Sequence, residues 1–317
     1  MTHQKRRDFL RTLALVALAI SSIVNCAAGE QRASKTVRLL TVGNSFSQNA
    51  TRNLAAIAEA AGDKLVHRQA PIGGGSMAQH WDKVLRYEKD PQDKQATYGA
   101  KSLKQMLEAE EFDFVTIQQY SFISHDVSTY RPYARNLFDF IKKLQPKAEV
   151  LVHQTWAYRR DDPRFAKKSG KPDQPDSQQA MYELLTKAYE TIAAELGTRI
   201  IPVGDAFFLA DNDPVLGFKP DETFEKAKAE YPALPKDQHS LHAGYKWSSK
   251  DGTHTLGFDG HHANVAGEYL GGCVFYEVLF GESVVGNRFH PKDIDPDYAR
   301  FLQETAHKAV QKRKAQP

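Results

Sequence analysis

The chain has 317 residues, 41% hydrophobic and 26% charged, a globular composition that excludes collagen-like, low-complexity and disordered classes. Its formal charge is +3, and Lys5, Arg6, Arg7 and Arg11 against Asp8 put that excess in the first 29 residues. The remaining body is near neutral, which argues against a nucleic-acid or anionic-membrane partner held by bulk charge.

Residues 1–29 read as an export signal rather than as part of the fold. A basic start is followed by an apolar run from Leu13 to Val24, too short to span a bilayer comfortably. Arg6-Arg7-Asp8-Phe9-Leu10 has the pattern of a twin-arginine signal, which implies a bacterial periplasmic or secreted protein with no membrane span after signal removal. Cys26-Ala27-Ala28-Gly29 suits a signal peptidase; lipid attachment at Cys26 is the alternative, and Asn25 fits it poorly. Cys26 and Cys273 cannot build a disulfide framework. Cys273 lies in an apolar helical stretch and is expected to pack as a small buried hydrophobe.

Strands and helices then alternate. Val37–Val42 reads as a buried strand ending at Gly43, and Asn49–Ala61 as a helix stopped by Gly62. Leu65–Gln69 is a second strand, ended by Pro71 and the run Gly73-Gly74-Gly75, with Ser76 capping the next helix. Helices follow at Ala100–Ala109, Pro132–Leu144 and Ser177–Leu196, strands at Phe112–Ile117, Glu149–Val152 and Arg199–Val203. A long apolar helix spans Ala263–Phe280, and a last, peripheral one runs from Pro296 to Lys312 with Asp295 as its cap. This spacing means βαβ units, hence a parallel sheet covered by helices on both faces. Two stretches, 158–176 and 209–258, interrupt the pattern as long loops.

Ligands of open α/β sheets sit at the carboxyl ends of the strands, so the strand ends carry the chemistry. They hold Asn44-Ser45, the glycine run, Gln118-Gln119-Tyr120-Ser121 and His153-Gln154-Thr155-Trp156; Asp259-Gly260-His261-His262 precedes the long apolar helix. Hydroxyl, amide, glycine backbone and imidazole on one rim are the parts of an acyl-transfer site.

Gly43-Asn44-Ser45-Phe46-Ser47 after the first strand resembles the first block of the SGNH/GDSL hydrolases. Asp259-Gly260-His261-His262 with Asn264 and Gly267 resembles their last block. The resemblance covers residues 37–281, leaving 282–317 as a C-terminal extension packed on the domain. It implies a three-layer α/β/α sandwich with a parallel, flavodoxin-like, five-stranded sheet. Serine is a poor nucleophile until a base takes its proton, and the base needs an orienting partner. The expected set is therefore Ser45 as nucleophile, His262 as base and Asp259 as its partner, with His261 left open as the other histidine. The expected oxyanion hole is Ser45 N–H, a glycine N–H, Gly74 by choice within 73–75, and the Gln119 amide. Gln119 replaces the asparagine that the superfamily carries after its third strand. Asn44, His153 and Trp156 are the expected substrate contacts.

The reading is a serine esterase with no cofactor and no metal, acting on a small-molecule or polysaccharide ester, foremost an O-acetyl group on a carbohydrate. Two alternatives come from other classes. One is a carbohydrate-binding protein on the same fold without turnover. The other is a metal-dependent hydrolase using His239, His242, His254, His261, His262 and His290, whose spacings match no zinc signature. A second Asp-Gly-x-His, Asp251 to His254, is a weaker candidate for the dyad.

Overall fold

Residue pairing across the sheet explains where the chain places its site. β1 (Thr36–Gly43) is buried from Leu39 onward, as a central strand covered on both faces must be. It is flanked by β2 (Lys64–Pro71) and β5 (Phe114–Ile117); β6 (Glu149–His153) and the two-residue β7 (Ile200–Ile201) complete the sheet. The order is β2-β1-β5-β6-β7, and every neighbouring pair is parallel. This is the flavodoxin-like arrangement, with the order reversing at β1, where a crevice opens beyond the strand end. β3 (Thr97–Tyr98) and β4 (Lys101–Ser102) form a separate small antiparallel pair.

The computed structural model describes residues 33–166 and 174–315, so the export signal and the Cys26 alternative lie outside the described residues. One helical layer is α1 (Ser45–Ala50), α2 (Leu54–Ala60), α8 (Val203–Asp211), α9 (Val265–Phe280) and α10 (Pro296–Lys314). The other is α3 (Met77–Lys89), α4 (Leu103–Ala109), α5 (Tyr133–Leu144) and α7 (Gln178–Leu196), with the single-turn α6 (Pro163–Ala166) outside it. α9 is apolar all round and buried along nearly its whole length, Cys273 included. Among the described residues no helix is long and apolar enough to cross a membrane.

Four elements depart from the sequence expectation. The helix expected at Asn49–Ala61 starts at Ser45, capped by Asn44, and is interrupted between Ala50 and Leu54. Only Ile200 and Ile201 of the expected fifth strand pair, and Val203–Asp211 is helical, since Pro202 suits a helix start and the segment is too uniformly apolar to show a period. α10 is not peripheral: Leu302, Ala306, Ala309 and Val310 are buried against α8 and α9. The stretch 209–258 is not one loop, because it leads into an antiparallel hairpin, β8 (His242–Lys250) and β9 (Thr253–Ala263). Its two-residue turn, Asp251-Gly252, has positive φ at both positions, the geometry that Asp-Gly favours.

Candidate active site

The turn that carries Ser45 is built at the end of β1. Asn44 caps α1: its Oδ1 accepts from Phe46 N–H at 2.9 Å, while its Nδ2 donates to Gly75 O at 2.9 Å. Ser45 is therefore the first residue of α1, and its N–H has no intrahelical acceptor. Gly43 is required by close approach, since a Cβ there would lie 2.7 Å from Ser47 Oγ and 2.8 Å from Gln118 Oε1.

The imidazole arrives from the opposite direction, at the end of β9. His262 Nε2 is 2.9 Å from Ser45 Oγ. His262 Nδ1 is 2.9 Å from Asp259 Oδ2. A carboxylate only accepts, so Nδ1 carries the proton and Nε2 offers its lone pair to the Ser45 hydroxyl. Asp259 Oδ1 also accepts from His262 N–H at 3.1 Å, which fixes the carboxylate against its own loop. Burial opposes ionisation of Asp259, but the bonds from His261 and His262 outweigh it and hold its carboxyl far below the usual range. Ala263 N–H donates to Asn49 Oδ1 at 3.3 Å, joining β9 to α1 directly.

His261 faces the other side of the same carboxylate. Its Nδ1 is 2.8 Å from Asp259 Oδ1 and 3.1 Å from Arg164 Nη2, so Asp259 touches both imidazoles and only His262 reaches the serine. Among the described residues, Asp259, His261 and His262 are also the one group whose ligand atoms, all within 4.8 Å, could surround a metal ion. A cation there would take the Nδ1 atom that His262 now gives to Asp259, with the Arg164 guanidinium opposing it. The other histidines are dispersed: His239 bonds Leu216 O at 2.8 Å, buried His242 bonds Ala157 O at 3.0 Å, and His254 bonds Ser249 Oγ at 2.7 Å. His254 thus sits at the hairpin tip, on the exposed stack against Tyr231, and the Asp251–His254 pair does not join Ser45.

Several expected contacts are corrected. Gln119 is fully buried, and its Nε2 gives both hydrogens to Thr129, at 2.9 Å to the carbonyl and 3.2 Å to the hydroxyl. Its Oε1 accepts from Met77 and Tyr120 N–H, so the amide braces loops and is not free for an oxyanion. Asn44, His153 and Trp156, expected on the open rim, are instead buried. Trp156 stacks between Phe46 and Phe207, with centroids 4.2 and 4.4 Å away, and donates Nε1–H to His261 O at 2.9 Å. Within the glycine run, Gly75 N–H is bonded to Ile72 O at 2.9 Å. Gly74 is exposed in the left-handed region at φ +60°, a conformation glycine adopts without strain.

Three further residues support the site without a sequence signal of their own. His80 is buried on α3, with Nε2 3.1 Å from Gly43 O and Nδ1 2.8 Å from Tyr98 OH. Burial lowers its pKa to about 3, so it is a neutral strut under the Ser45 turn. Arg164 lies 3.9 Å over the Tyr158 ring and pairs with Asp162 at 2.6 Å. Buried Arg159 bonds Asp161 at 2.6 Å and Asp237 at 2.7 Å, lies over Phe218 and Phe258, and donates its N–H to Gly260 O at 2.8 Å. It thereby pins the hairpin to the sheet's rim. A cavity of about 510 Å³ lined by Glu190, Arg199, Ile200, Val278 and Arg313 is at the other end of β7 and takes no part in this site.

Sheet order, strand-end serine and Asp–His loop together define an α/β fold of the SGNH hydrolase type. The chain belongs to the family described as "Domain of unknown function (DUF4886)", which it matches over residues 38–212. No curated protein matches it. A solved DUF4886 family protein from Bacteroides uniformis is 24% identical, covers 87% of this chain and 95% of its own, and superposes with a TM-score of 0.67. A candidate SGNH hydrolase from Slackia heliotrinireducens is 20% identical over 76% of this chain and 98% of its own, with a TM-score of 0.47. For a candidate GDSL-like lipase from Parabacteroides merdae the values are 16%, 79%, 99% and 0.44.

Proposed function

We propose that the protein is a serine esterase acting through Ser45, His262 and Asp259. The observation that carries this reading is the pair of 2.9 Å contacts that link Ser45 Oγ to His262 and His262 to Asp259. Ser45 Oγ attacks the ester carbonyl as His262 Nε2 takes its proton. Asp259 stabilises the imidazolium that results, and His262 then protonates the departing alcohol. Ser45 N–H and Gly74 N–H receive the oxyanion. A water molecule, activated by the same imidazole, releases the acid from the acyl-enzyme. No step calls on a metal.

The favoured substrate is an O-acetyl group on a carbohydrate. The His262 side chain is 35% exposed, so the dyad is open to the surface and accessible to a short acyl group on a bulky alcohol. The exposed aromatic ring of Phe122 suits the apolar face of a sugar ring. The twin-arginine pattern places the reaction in the periplasm or outside the cell, after removal of residues 1–29. Residues 37–281 form the catalytic domain in this reading, with 282–317 as its extension.

The test is hydrolysis of 4-nitrophenyl acetate and release of acetate from acetylated xylan, with chelator present, by the mature protein and by Ser45→Ala. Turnover that survives chelation and is lost in the variant supports the reading. Turnover that needs added zinc would favour the metal hydrolase. Binding to the polysaccharide without turnover would favour a sugar-binding protein.

A further inference from the structure

The proposed oxyanion hole has two backbone donors and lacks a side-chain third, because Gln119 is committed to Thr129. Two donors on separate loops are useful only if their spacing is held. One loop follows β1 and carries Ser45; the other follows β2 and carries Gly74. The Asn44 side chain joins them, oxygen to the Ser45 turn through Phe46 N–H and nitrogen to the glycine turn through Gly75 O.

Asn44 is itself held. Gln118 Nε2 donates to Asn44 Oδ1 at 2.7 Å. His153 Nδ1 is 3.1 Å from Gln118 Oε1. All three side chains are buried, at 1%, 1% and 0% exposure. The proton assignments follow in order. Asn44 Oδ1 already accepts from Phe46, so Gln118 must present its NH₂ group to it. Gln118 Oε1 then faces His153, whose Nδ1 must carry hydrogen. His153 Nε2 is left as the bare nitrogen, buried without a partner, and Phe275 packs edge-on at 5.0 Å. Burial lowers the His153 pKa to about 3, which leaves this single neutral form as donor. The chain of contacts therefore crosses the ends of β6, β5, β1 and β2 and points one way.

We propose that Gln118, oriented by His153, is a positioning residue of the oxyanion hole, acting through Asn44 on the spacing of Ser45 N–H and Gly74 N–H. This rests on the serine esterase reading. Asn44 Nδ2 is the side-chain tie between the two turns, beside the backbone bond from Ile72 N–H to Gly43 O at 2.9 Å, so the Gln118 contact bears directly on how the two donors are spaced. It also explains why Gly43 admits no side chain, since a Cβ would press on Gln118 Oε1.

The experiment compares wild type, Ser45→Ala, Gln118→Leu, His153→Leu and His153→Gln. It measures kcat and KM on 4-nitrophenyl acetate, active-site titration with a fluorophosphonate, the pH–rate profile and affinity for phenylboronic acid. Boronate forms a tetrahedral adduct on the serine and so reads the hole directly. Gln118→Leu is expected to lower kcat per titrated site by roughly 10- to 100-fold. KM and the profile's midpoints should stay unchanged, and boronate affinity should fall by the same factor as kcat/KM. His153→Leu should follow it, and His153→Gln, which keeps an N–H donor, should recover most of the loss. Wild-type kcat per titrated site in Gln118→Leu, or a loss explained by fewer active sites or a shifted pH profile, overturns the proposal. If wild type is no faster than Ser45→Ala, the esterase reading falls and takes this proposal with it.

Discussion

Ser45 and the Asp259–His262 pair are held by two unlike parts of the molecule. Ser45 follows an interior strand of the sheet, where β1 has a strand on either side and a fully buried polar layer lies under its end. His262 and Asp259 stand on β9 of a two-stranded hairpin outside that sheet, much of which faces water. Hairpins of two strands are marginal alone, so this one depends on anchors: the Arg159 N–H bond to Gly260 with its guanidinium over Phe258, the Trp156-to-His261 bond and the Asn49-to-Ala263 bond. Ser45 is thus placed by the fold itself, whereas His262 is placed by a few long-range polar contacts.

The sharpest way to break this comparison is at the reacting atoms. Ser45→Ala should lower kcat by about 10⁶ with the fold unchanged, measured by aryl acetate hydrolysis and circular dichroism. Asp259→Asn should cost about 10⁴, because an amide no longer selects the His262 tautomer that leaves Nε2 bare. A loss of under tenfold would show that the hairpin's carboxylate is not the imidazole's partner. Next comes the anchor. Arg159→Met leaves Asp161 and Asp237 without their shared cation; both carboxylates reach solvent, so the loss should be about 1–3 kcal/mol, the range for hydrogen bonds to charged groups. Denaturant unfolding should show that loss, with limited proteolysis in the hairpin appearing before cleavage in the sheet.

Acid sharpens the comparison from the sheet's side. Burial depresses His153 and His80 to about 3 from the 6.5 of an ordinary histidine. The unfolded chain therefore binds these protons first, and stability falls as pH drops from 6.5 towards 3. Each histidine contributes a slope of about 1.4 kcal/mol per pH unit in that window. His80→Gln should flatten the stability profile below pH 6, and an unchanged slope would contradict the neutral-strut role. The smallest effect is expected at the hairpin tip, where His254→Ala should leave aryl acetate turnover within a factor of two.

Much of the sheet was legible because buried parallel strands read as short apolar runs between helices of clear period. Ser45, His262 and Asp259 were legible for a different reason: a tight strand-to-helix turn and an i, i+3 pair in one loop are local patterns. What failed was non-local. Gln118 and Gln119 are neighbours on one strand end, and the sequence cannot say which amide turns toward Asn44 and which toward Thr129. His153 and Trp156 look like rim residues by position, yet Phe275 on α9 and Phe207 on α8 bury them. The hairpin's Asp251-Gly252 turn was visible, but it was read as part of an Asp-Gly-x-His motif instead of as a turn signal.

The most direct test of the central claim is covalent. The mature protein would be treated with a fluorophosphonate and digested, and the modified peptide located by mass spectrometry. The expected result is one adduct per chain, on Ser45, formed at a rate that Asp259→Asn greatly slows and a chelator leaves alone. Labelling of another residue, or of none while ester hydrolysis continues, would contradict it.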